Sequence, residues 1–73
     1  MAIERLKVLA TEILPGDAVI GWDRSGAREP VVQLIDAPHP SNVGLAVAVT
    51  GGTAGLFIPR TAHVFIERNT HHV

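Results

Sequence analysis

Residues 43–50 read Val-Gly-Leu-Ala-Val-Ala-Val-Thr, and their alternation constrains this chain more than any other feature. Val43, Leu45, Val47 and Val49 fall on one side of an extended backbone, and Gly44, Ala46, Ala48 and Thr50 on the other. A period of two sorts side chains this way in a strand, whereas a helix would mix the two sets. A strand with one wet face should carry polar residues on that face. Here both faces are apolar, one bulky and one small. Two readings follow. The small face packs against the chain's own N-terminal segment or the opposite wall of a barrel, or it receives a partner that approaches the backbone closely.

The rest of the chain is punctuated at short intervals by glycine and proline, which favours many short strands over helices. A strand is expected at about residues 4–10, although Ile3, Leu6, Ala10 and Ile13 also fall at helical spacing. Leu14-Pro15-Gly16-Asp17 has proline and glycine in the two central positions of a tight turn. Residues 18–22 then form a strand, 23–28 a polar hairpin loop, and 30–36 a strand opened by Pro30, where a missing donor is tolerated. The prolines of 37–42 impose a loop. The run 51–55 is a glycine-rich hairpin connection, 56–58 a short strand ended by Pro59, 60–62 a tight 3-10 turn, and 63–68 the last strand. Residues 69–73 are a polar tail expected to fray.

A single small all-β domain spanning 1–73, with its ordered core at about 4–68, follows from this pattern and from the length of 73 residues. With no cysteine, no disulfide or thiolate chemistry is open to it. Apolar residues make up 47% and charged residues 18%, too hydrophobic for intrinsic disorder. The longest charge-free apolar stretch, 43–58, is broken by four glycines and falls short of the roughly 20 residues of a spanning helix. The first residues have no long apolar stretch, so no signal peptide is expected, and the location expected is cytoplasmic.

Glu12-Ile13-Leu14-Pro15-Gly16-Asp17, and Gly55-Leu56-Phe57-Ile58-Pro59 followed by Arg60-Thr61-Ala62 and His63-Val64-Phe65-Ile66-Glu67, resemble the Src-homology-3-like small barrel. The resemblance covers roughly residues 5–68. It implies a five-stranded barrel with one short 3-10 turn before the last strand. Signalling members of that family read proline-rich peptides through tyrosines and a tryptophan pair. Here tyrosine is absent and Trp22 stands alone, so that activity is not carried over. In size and style the chain is similar to small accessory proteins of phages of GC-rich bacteria.

Motifs for chemistry are sparse. The loop 51–55 leads into a strand and lacks Gly-Lys-Ser/Thr, so it is no phosphate cradle. His39, His63, His71 and His72 have no partner at metal-ligand spacing. Ser41 lies two residues from His39, but nothing in the sequence supplies an orienting group or an oxyanion site. No catalytic residue, metal or cofactor is expected, and the chain reads as a non-enzymatic interaction module. Its expected partner is another protein or a second copy, with no membrane role. The contact would run through Gly44, Ala46, Ala48 and Phe65, with Trp22, Arg24 and Arg28, residue types that dominate interfaces, at the rim. The second reading is a weak nucleic-acid-binding barrel using Arg5, Lys7 and Arg68. A net charge of −1 and the near absence of a stacking platform weigh against it.

Overall fold

The computed structural model describes residues 2–22 and 28–69. Its strands are β1 (Ile3–Leu9), β2 (Ala18–Ile20), β3 (Arg28–Ile35), β4 (Asn42–Val49), β5 (Gly52–Pro59) and β6 (His63–Asn69), with one 3-10 turn at Ala10–Glu12. The ambiguity of the first segment resolves by division: Ile3–Leu9 is extended, and Ala10–Glu12 is the turn. The Glu12 carboxylate accepts the Leu9 N–H at 2.8 Å, which holds that turn shut. The Leu14–Asp17 turn forms as its residues dictate, the Asp17 N–H donating to the Leu14 carbonyl at 3.1 Å.

All strand pairs are antiparallel, in the order β1-β6-β2-β3-β4-β5. The expected five-stranded closed barrel is therefore corrected to a six-stranded open sheet with β1 and β5 at its edges. One strand bends the sheet upon itself. Residues 28–30 of β3 pair with β2, and residues 31–35 pair with β4. The handover carries a bulge: Val31 faces Val47 while Gln33 faces Ala46, leaving Val32 as the extra residue. Bulges of this kind turn corners between packed half-sheets. Pro30 sits at that corner with a paired strand on one side only, which accommodates a residue without an N–H although it is third in its strand and not first.

The two half-sheets close on one core. Val19, Val64 and Ile66 come from the β1-β6-β2 half, and Leu45, Val47 and Ile58 from the β4-β5 half, with Ala10, Ile13 and Val31 filling the end and the corner. The bulky face of β4 is inward as its alternation requires, except that Val49 at the hairpin end is 47% exposed.

Two connections differ from expectation. The β4–β5 loop is only Thr50 and Gly51, because Val49 already pairs with Gly52. Gly51 has φ +85°, which an L side chain resists. The glycines at 52 and 55 therefore lie in a strand and not in a loop: with β4 fully extended beside them, their backbone groups pair with it. The link from β5 to β6 is one turn, closed by the Ala62 N–H donating to the Pro59 carbonyl at 2.9 Å. The 3-10 turn lies after β1, not before the last strand.

Candidate interaction surface

Because the half-sheets share a core, their outer faces point to opposite sides of the molecule. The register assigns residues to each, since directly opposed residues in an antiparallel pair share a face. On the β1-β6-β2 side the outer face holds Arg5 opposite Glu67, Lys7 opposite Phe65, Phe65 opposite Ile20, and Ile20 opposite Arg28. On the β3-β4-β5 side it holds Gln33 and Ile35, then Gly44, Ala46 and Ala48, then Thr53, Gly55 and Phe57. The expected partner-binding residues are thus divided: Gly44, Ala46 and Ala48 lie on one face and Phe65 on the other.

The first face mixes charged side chains with the exposed Ile3 and Phe65. Phe65 is 53% exposed. Glu67 accepts from Arg28 Nε at 2.8 Å and lies 3.8 Å from Arg5. The second face carries no charge at all. Gly44 is buried, Ala46 half-buried and Ala48 exposed. Ile35 covers Gly44, and a Cβ there would lie 2.5 Å from the Ile35 carbonyl oxygen. The Phe57 ring lies over Gly55, 3.2 Å from where a Cβ would stand. The small face is therefore only partly bare. The chain's own Ile35 covers Gly44, while Ala48, Gly55 and the 40%-exposed Phe57 stay open to solvent and Ala46 is half-buried.

Trp22 is half-buried and packs against the core, so it supports the fold as well as any rim. Arg24 lies outside the described residues. Arg68 does not join Arg5 and Lys7: it pairs with Glu4 and so belongs to the opposite side of the sheet. There it grips Asp17 in a two-point bridge, Nε to Oδ1 at 2.8 Å and a terminal nitrogen to Oδ2 at 2.7 Å, and also donates to the Glu12 carbonyl at 3.2 Å. Asp17 is 3% exposed. Burial alone would raise its pKa. The Arg68 hydrogen bond, the Leu14 N–H at 2.9 Å and the Arg68 charge together outweigh that and hold it below the ordinary carboxylate value. The Asp17–Arg68 pair has no sequence motif, because 51 positions separate its members.

At one end of the sheet an open groove of about 490 Å³ runs between the β3–β4 loop and the β5–β6 turn. Beside it the Ser41 hydroxyl meets His39 Nδ1 at 2.6 Å, and the Ser41 N–H reaches the same nitrogen at 3.1 Å. Both contacts lie within the β3–β4 loop and hold it closed on itself. Arg60 and Asp36 both line the groove, so its charge selects ligands of neither sign. Among the described residues no helix is long and apolar enough to cross a membrane. No protein-family model, curated protein or solved structure matches the chain.

Proposed function

We propose that this chain is a non-enzymatic protein-interaction module that works through the β3-β4-β5 half of its sheet. One observation carries the reading. Strand β5, Gly-Thr-Ala-Gly-Leu-Phe-Ile-Pro, runs eight residues along an open sheet edge with no charged side chain. Soluble proteins guard such edges with lysine, with inward charges or by covering them, because the unpaired N–H and C=O groups recruit another strand. The other edge follows that rule: β1 carries Glu4, Arg5 and Lys7. The charge-free outer face beside β5 adds apolar area to the same surface. Among the described residues four of the seven exposed large hydrophobics, Val32, Leu34, Val49 and Phe57, lie on β3, β4 and β5, with Phe57 on that outer face. An Src-homology-3-like resemblance is compatible with the reading, since the last strand returns to pair with the first. So does a role as a small phage accessory protein, supported by size and composition.

Replacing Ala48 or Phe57 with lysine puts a charge on this surface without touching the core. Retention of a bound protein by the immobilised chain should fall at least tenfold, about 1.4 kcal/mol. Phe65→Ser on the opposite face should leave retention intact. Equal retention by all forms would dismiss the surface.

A further inference from the structure

We infer that the strand received by β5 is β5 of a second copy of this chain, joined antiparallel about a two-fold axis into one continuous sheet. The inference rests on the interaction-module reading and names its partner.

Three observations favour a copy over a foreign segment. First, β5 has no charge and a single polar side chain, Thr53, so it offers a foreign partner little to recognise, while its own duplicate meets no like-charge repulsion. Second, a two-fold register suits this strand's own side chains at Gly55, Leu56 and Phe57. A two-fold antiparallel pair places residues of the same parity opposite each other, so core-side residues meet core-side residues. An axis at Leu56 sets that half-buried side chain against its copy and Gly55 opposite Phe57. Each Phe57 ring already leans over its own Gly55, so the same axis brings the two exposed rings into contact. Third, the remaining edge is charged, which closes the assembly at two copies: β1 carries Glu4, Arg5 and Lys7 and does not extend the sheet further.

The test is the mass of the full chain in solution across the micromolar to millimolar range. We expect conversion of the 7.8 kDa species to twice that mass. Gly55→Lys, whose new side chain needs only the exposed Phe57 ring to give way, should weaken association at least tenfold with strand content retained by circular dichroism. Phe57→Lys is the second variant should the first misfold, and Phe65→Ser should associate as the parent does. The chain has no native cysteine, so Leu56→Cys gives a single reporter. A short bismaleimide should link it to its copy in high yield, and Phe65→Cys in low yield. A chain that stays at 7.8 kDa throughout overturns the inference, as does a dimer indifferent to both lysine variants or unlinked at position 56. If the chain is monomeric yet Phe57→Lys still abolishes retention of a bound protein, only the second-copy inference falls and the module reading stands.

Discussion

Asp17 shows what one buried charge does in so small a protein. Its carboxylate is out of water, and such a group is tolerated only when paired and hydrogen-bonded. Arg68 and the Leu14 N–H meet that demand, and the Gly16 N–H and the Asp17 carbonyl tie the same turn to Val31 of β3. One side chain thus joins the β1–β2 connection to β6. Asp17→Asn should cost roughly 2–4 kcal/mol, somewhat less than breaking a fully buried pair, because Arg68 keeps some solvent contact. Thermal melting measures it, as a fall of roughly 10–20 °C for a domain of this length. The pH dependence has a definite sign. The folded pKa lies below the unfolded one, so this stabilisation is complete above the ordinary carboxylate value of about 4 and is lost as pH falls through the folded value. Acid unfolding of the parent should be steeper over that interval than that of Asp17→Asn, which has no such proton to take up. Parallel acid titrations of the two would refute this.

At the scale of the element, β3 decides the architecture. A flat six-stranded sheet could not bury its own face, and among the described residues no helix layer covers it. By passing from β2 to β4 at Pro30–Val31, with a bulge at Val32, β3 folds one half of the sheet onto the other. The close approach of β3 to β4 just beyond that corner depends on Gly44. A Cβ there would meet the Ile35 carbonyl oxygen at 2.5 Å and the Asp36 carbonyl carbon at 3.1 Å. Both are backbone atoms and cannot rotate away. Gly44→Ala should therefore destabilise by about 1–3 kcal/mol, the usual cost of overpacking, while Gly55→Ala, which meets only the mobile Phe57 ring, should cost less than half as much. Denaturant midpoints of the two variants make the comparison. A harmless Gly44→Ala would mean that β3 and β4 separate more readily than this packing implies.

For the whole molecule, charge matters by its placement more than by its sum. The net charge is −1. Of the cations proposed for nucleic acid, Arg5 shares Glu67 with Arg28, and Arg68 is spent on Asp17. Among the described residues Lys7 alone of the three has no ion pair, and a single phosphate contact supplies little affinity and a shallow salt slope. The expected outcome is no measurable retention of a generic oligonucleotide at low salt, read by fluorescence anisotropy. A clear signal that falls steeply with added salt would restore the nucleic-acid reading. The asymmetry that remains is one of edges: a charged β1 and an uncharged β5 at opposite ends of a single sheet.

Much of this was legible along the chain because it is local. Alternation at 43–50 prescribes a strand and its inward face, and Pro15-Gly16 prescribes a turn, since both depend on backbone geometry within a few residues. What the tertiary structure alone decided is non-local. The glycines of 52–55 read as loop because glycine is common in loops, and they are strand because β4 lies alongside to take their hydrogen bonds. Arg68 read as a surface cation beside Arg5, and strand pairing puts it on the other side, against an aspartate 51 positions away. Which strand stands at an edge is decided by who pairs with whom, and no stretch of sequence carries that information by itself.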